Sequence, residues 1–117
     1  RLIVVFGCGG ERDPGKRPMM GAVAHKLADI RIIADDNPRD EDPAGIRAEI
    51  LAACPKASEY GDRGEAIFAG ARQLSTGDVL VIAGKGHESG QIIGDTVRPF
   101  DDAETARAAV VAIERAP

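Results

Sequence analysis

Three short runs dominated by Val, Ile and Leu constrain this chain more than any other feature: LIVVF at 2–6, IRIIA at 30–34 and VLVIA at 79–83. A strand with one face in water alternates apolar and polar residues, whereas a strand covered by helices on both faces is apolar almost throughout. Each run therefore predicts a strand inside a parallel sheet. Between them, Met20, Val23, Ala24 and Leu27 recur at helical spacing within 17–28. Asp42-Pro43 supplies a cap and a first helical residue, with Ile46, Ile50 and Leu51 forming the inward face that follows. Asp62 caps a third helix through Leu74 with Ile67, Phe68 and Ala71 inside, and 101–115 closes the chain as a fourth. Residues 57–60 read as a weak strand, and 91–93 with 97–100 flank Gly94-Asp95 as a hairpin. The expectation is an α/β, Rossmann-like three-layer domain, with a mostly parallel sheet of about six strands and one antiparallel edge hairpin.

The 117 residues, 44% of them apolar, are enough to enclose one core and not two, so the whole chain reads as a single domain. Aromatic residues are only 3% with no Trp, which leaves the core to Val, Ile, Leu and Ala. A net charge of -4 disfavours nucleic acid as a partner. No segment reaches the roughly 18 apolar residues of a membrane helix, and no signal sequence is present, so a cytoplasmic domain without a membrane partner is expected. Cys8 and Cys54 lack metal-ligand spacing and are expected to stay reduced; no metal ligands are assigned in this chain. The chain opens inside an apolar run without Met, as a piece of a longer protein would.

Three polar loops follow the three apolar runs: GCGGERDPGK at 7–16, DDNPRD at 35–40 and GKGHE at 84–88. In a parallel sheet such loops share the carboxyl rim, where ligands bind. Neither Gly-rich loop is a standard phosphate cradle. The first lacks GxGxxG leading directly into a helix, and Lys85 precedes Gly86 where a Walker loop has Ser or Thr. The middle loop has a more specific inventory: Asp36 suits an ammonium, Asn37 both donates and accepts, Pro38 stiffens the turn, and Arg39 offers a planar fork for a carboxylate. Together these suit a zwitterionic amino acid. The same residues equally describe an Asx turn with a solvated arginine. Arg12 and Glu88 add one charge of each sign to the rim, and His87 is given no catalytic role.

In this order, VFGCGGERDPGKRP, DDNPRDEDP, GDRGEAI, AGKGHE and PFDDAETAR resemble the C-terminal domain of the Mur ligases that add meso-diaminopimelate, the MurE branch. DNPR at 36–39 is the most specific element, since lysine-adding relatives carry a different tetrapeptide there. Glu11 stands where the family often has Asp, with the charge kept. The resemblance implies that residues 1–117 are the amino-acid-binding domain of a three-domain ligase whose N-terminal and central, ATP-binding domains are absent from this chain. It implies meso-diaminopimelate and UDP-MurNAc-L-Ala-D-Glu as substrates in peptidoglycan synthesis, and ATP and Mg2+ held mainly by the central domain. The whole enzyme is expected to be monomeric, and the isolated chain inactive. The diaminopimelate-binding positions it implies are Arg12, Asp36, Asn37, Arg39, Gly84 and Glu88, with Pro38 shaping the motif and no catalytic residue in this chain.

Diaminopimelate carries two ammonium and two carboxylate groups. Arg12 and Arg39 match its carboxylates, Glu88 and Asp36 its distal amine, and the Gly84 backbone can approach closely. Two alternatives remain: a free-standing Rossmann-like module binding a nucleotide or phosphate, or another Mur or folylpolyglutamate-type ligase domain.

Overall fold

The computed structural model describes residues 1–115. Four parallel strands form the central sheet: β1 (Leu2–Phe6), β2 (Ile30–Ile33), β3 (Ser58–Glu59) and β4 (Val79–Ile82), in the order β3-β2-β1-β4. The connections are α1 (Lys16–Leu27), α2 (Pro43–Ala53) and α3 (Arg63–Arg72). A separate antiparallel pair, β5 (Gly90–Ile93) and β6 (Thr96–Pro99), precedes α4 (Asp102–Glu114).

The chain winds from β1 outward through β2 to β3, then crosses back over the sheet to β4. Because parallel crossovers are right-handed, reversing direction moves the connecting helix to the opposite face. α1 packs on α2, and α3 on α4. Two cores result. Ile3, Val5 and Ile32 meet Ala66, Ile67 and Ala69 of α3 on one face. Phe6 and Ile33 meet Ala24 of α1 with Ile46 and Ile50 of α2 on the other. Alternate residues of one strand thus enter different cores, which is why the runs carry no polar phase.

The two expected caps form, Asp42 Oδ1 accepting from Ala44 N–H and Asp62 Oδ1 from Gly64 N–H, and Asp101, expected as the first residue of the last helix, is instead its cap, with Oδ1 accepting from Glu104 N–H. Cys8 and Cys54 are free and buried.

The sheet itself has four strands, and the hairpin is a second sheet of two rather than an added edge of the first. It joins the domain where Arg39 N–H donates to Ile92 O (3.0 Å) and Gly94 N–H to Arg39 O (2.6 Å). Two expectations of burial fail. VLVIA reads as a fully buried strand, yet β4 is an edge, with Val79 and Val81 exposed. Val23 and Leu27 of α1 do not enter the core; with Met19 they are exposed around an apolar cleft of about 430 Å³ beside β1.

Candidate functional site

At the carboxyl ends of β1, β2 and β4 the three polar loops enclose a cavity of about 600 Å³. It lies beside the β1–β4 junction, where the winding direction reverses and adjoining loops depart toward opposite faces. Arg12, Asp36, Asn37, Arg39, Gly84 and Glu88, all candidates from the sequence, line it. Pro38 does not. It is fully buried behind the loop, and a side chain at Gly10 would collide with its carbonyl oxygen. His87 is exposed and outside the lining.

The lining also includes Asp13 and Lys16, which sequence inspection did not single out. Its charged side chains are three cations (Arg12, Lys16, Arg39) and three anions (Asp13, Asp36, Glu88). Such a balance offers little net attraction to a polyanion but can pair each end of a zwitterion.

Each loop is held rigidly from behind. Gly10 N–H donates to Asn37 O (2.8 Å), drawing the first loop onto the second at a separation only glycine allows. Arg39 adopts a positive φ of 54°. That strained backbone is retained by its two hydrogen bonds to the hairpin. Its Nη1 donates to Gly10 O (2.9 Å) and Asn37 O (3.4 Å), leaving Nε and Nη2 without partners among the described residues. Arg12 is exposed and its guanidinium makes no hydrogen bond among the described residues. Gly84, at φ +117°, lies against Asp36, where an added Cβ would be 3.4 Å from Oδ2. Glu11 is also at positive φ, and its carboxylate accepts from Asp40 N–H at 3.0 Å, so this side chain links the first two loops.

Three buried cations were not recognised in the sequence. Arg17 donates to Glu41 Oε2 and Glu49 Oε2, both at 2.6 Å, and to Gly9 O at 3.2 Å. Arg63 donates to Asp102 through Nε and Nη2 (2.8 and 2.7 Å), to Asp35 O (3.0 Å) and to Ala83 O (3.1 Å). Lys85 donates to Asn37 Oδ1 (2.8 Å) and Gly90 O (2.9 Å). Gln91, buried too, donates from Nε2 to Asp36 O (2.7 Å). Nothing local in the sequence separates the three cations from solvated charges; their hydrogen-bond partners are 5 to 48 positions away.

Burial pushes the Cys8 thiol up despite nearby Arg17, so it lines the cavity as a neutral thiol. Burial also raises the Asp35 carboxyl, against the bond from Arg47. Glu41 moves the other way: the Arg17 hydrogen bond, helped by Glu11 N–H, lowers it from 4.5 to about 2. The folded form then binds this proton less tightly than the unfolded one. Its contribution to stability is present above pH 4.5 and is lost as the pH falls toward about 2. Thermal melts across that interval should show a smaller loss of midpoint for Glu41→Gln than for wild type; parallel curves would refute the linkage.

Among the described residues no group of three or more His, Cys, Asp or Glu side chains is placed to hold a metal ion. No described helix is long and apolar enough to cross a membrane.

Comparison with known proteins adds to this geometry. Residues 1–86 match the family model described as Mur ligase, glutamate ligase domain. The chain is 64% identical over 109 residues to the UDP-N-acetylmuramoyl-L-alanyl-D-glutamate--2,6-diaminopimelate ligase of Caulobacter vibrioides, covering 92% of this chain and 22% of that protein. The ligase of the same name from Brucella melitensis biotype 1 is 58% identical over 115 residues, covering 97% and 24%. A solved structure of a UDP-N-acetylmuramoyl-L-alanyl-D-glutamate--2,6-diaminopimelate ligase superposes with a TM-score of 0.92 at 43% identity, over 99% of this chain and 25% of that one. The chain thus spans about a quarter of the length of these relatives.

Proposed function

The chain belongs to the Mur ligase family as its glutamate ligase domain, and from that premise we propose that it is the C-terminal, amino-acid-binding domain of a cytoplasmic ligase joining meso-diaminopimelate to UDP-MurNAc-L-Ala-D-Glu in peptidoglycan synthesis. The observation that carries this is the charge balance of the cavity, three cations and three anions brought together from loops distant in sequence. Diaminopimelate has matching chemistry: two carboxylates, two ammonium groups and no net charge at neutral pH. Arg39 and Arg12 would take its carboxylates, Asp36 and Glu88 its distal ammonium, and the Gly84 backbone would close against it.

The third loop is not a Walker-type phosphate cradle: Lys85 is buried and committed to Asn37 and Gly90, and Gly86 follows it in place of a magnesium-binding hydroxyl. On this reading ATP and Mg2+ would be held mainly by a central domain of the whole ligase, and the UDP-sugar peptide by an N-terminal one. In such a ligase ATP activates the D-glutamyl γ-carboxyl as an acyl phosphate. The residues here hold the diaminopimelate amine for attack on that carbonyl, releasing phosphate as the amide forms and the amine loses its proton. Orientation of this kind can supply up to roughly 7–11 kcal/mol of the barrier.

The names of the relatives agree with this substrate. The test is ligation by the whole protein, given ATP, Mg2+ and UDP-MurNAc-L-Ala-D-Glu, with either meso-diaminopimelate or L-lysine. Lysine lacks the distal carboxylate and would leave a guanidinium unpaired, so a preference of about 10⁴-fold or more for diaminopimelate is expected. Equal use of the two, or no ligation of diaminopimelate, would reject the proposal.

A further inference from the structure

We propose that Lys85 is a positioning residue: its buried ammonium, together with Ile92 N–H, fixes which group of the Asn37 amide faces the ligand, and it also sets which oxygen of Asp36 does, an inference that rests on the diaminopimelate reading above. Lys85 is 3% exposed, although Gly84, Gly86, His87 and Glu88 around it are all exposed. A lysine is almost never buried to that degree unless it is paired. Its partners are the side chains of two predicted ligand residues and the start of β5. Nζ lies 2.8 Å from Asn37 Oδ1, 2.9 Å from Gly90 O and 3.2 Å from Asp36 Oδ1.

The consequence for Asn37 follows from counting lone pairs. Its Oδ1 accepts from Lys85 Nζ and also from Ile92 N–H at 2.9 Å, which uses both acceptor positions. Turning the amide over would direct its NH2 at an ammonium and an N–H donor. Nδ2 makes no hydrogen bond among the described residues, and Asn37 lines the cavity. The amide therefore presents two donors, suited to a carboxylate of the ligand and not to an ammonium.

For Asp36 the effect is similar. Oδ1 is buried with no aligned hydrogen bond, and its compensation is the charge of Lys85 at 3.2 Å. Oδ2, on the Gly84 side, is the oxygen left for a ligand ammonium. Without Lys85, Asp36 Oδ1 would lose its counter-charge and Asn37 Oδ1 would retain only Ile92 N–H. Arg17 and Arg63 are buried as deeply, but neither bonds to the side chain of a predicted ligand residue. Lys85 alone among the three couples burial to the orientation of ligand groups.

The experiment is steady-state kinetics of the whole ligase carrying Lys85→Met, which keeps the length of the side chain and removes the ammonium. The KM for diaminopimelate is expected to rise roughly 30-fold, the effect of losing one charge-assisted hydrogen bond, with the KM values for ATP and UDP-MurNAc-L-Ala-D-Glu within about twofold of wild type. An unchanged diaminopimelate KM, or an equal rise for all three substrates, overturns the positioning role. If Lys85→Met does not fold, Asn37→Asp decides: it keeps an oxygen toward Lys85 and replaces the outward NH2 by an acceptor, so the diaminopimelate KM should again rise selectively. No rise would overturn the assigned amide orientation. Wild-type enzyme run alongside separates the two ideas, because failure to ligate diaminopimelate at all defeats the functional reading, whereas normal ligation with an insensitive Lys85→Met defeats only this inference.

Discussion

Arg39→Ala in the whole ligase is expected to raise the KM for diaminopimelate by roughly 10- to 100-fold, the range for losing a hydrogen bond to a charged group, and to leave the KM for ATP within about twofold. The reason lies in how the guanidinium is held. Nη1 is anchored on Gly10 O and Asn37 O, so the remaining N–H groups of the fork are already oriented when the ligand arrives. Lysine at this position would supply charge without the fork and should recover only part of the affinity. Arg39 also sits at φ 54°, so a substitution could act through the backbone instead. Arg39→Gly separates the two effects, because glycine accepts that φ without strain. Equal rises in the alanine and glycine variants would assign the loss to the side chain. An unaffected diaminopimelate KM in both would remove Arg39 from the site.

The second large effect concerns stability. Arg63→Ala should cost about 3–5 kcal/mol, the usual result of removing one partner of a buried ion pair, and should lower the Tm by roughly 12–20 °C in a domain of this size. The Asp102 carboxyl, at 5% exposure, would lose both donors, and the carbonyls of Asp35 and Ala83 would lose theirs. Arg63 joins the ends of β2 and β4 to the start of α4, so its loss loosens two of the three site loops as well as α4. Differential scanning calorimetry of the variant measures this directly. Replacing both charges with apolar residues, as in Arg63→Met with Asp102→Leu, should recover much of the loss, since no buried carboxylate would then be left unpaired. A single variant with wild-type Tm would mean that the pair contributes nothing.

The two effects differ in how far the sequence announced them. Arg39 stands in a loop between a strand and a capped helix, in a tetrapeptide whose chemistry fits an amino acid, so it is conspicuous without coordinates. Arg63 follows a capping Asp in GDRGEAI, a setting in which an arginine ordinarily points to water. Only the return of α4 against α3 puts Asp102 beside it. The exposed valines of β4 have a similar origin: composition can mark a strand as suited to burial, but its neighbours in the sheet depend on the order of strands, which no local pattern encodes.

By itself the sequence determined what depends on short range. Apolar runs without polar alternation specified the parallel strands, though not that one face of β4 lies open, Asp42 and Asp62 specified helix starts, and the polar loops after the runs specified the rim on which a ligand would sit. It also contained the tetrapeptide that suits an amino acid. Tertiary structure decided what depends on distant residues meeting: that the hairpin forms its own two-stranded sheet and grips Arg39, that Pro38 supports the cavity from behind, and that Asp13 and Lys16 join its lining. It also decided that Lys85 is internal. A lysine between two glycines has no local reason to be buried; it becomes so because Asn37, Asp36 and Gly90 converge on its ammonium and satisfy it where water cannot.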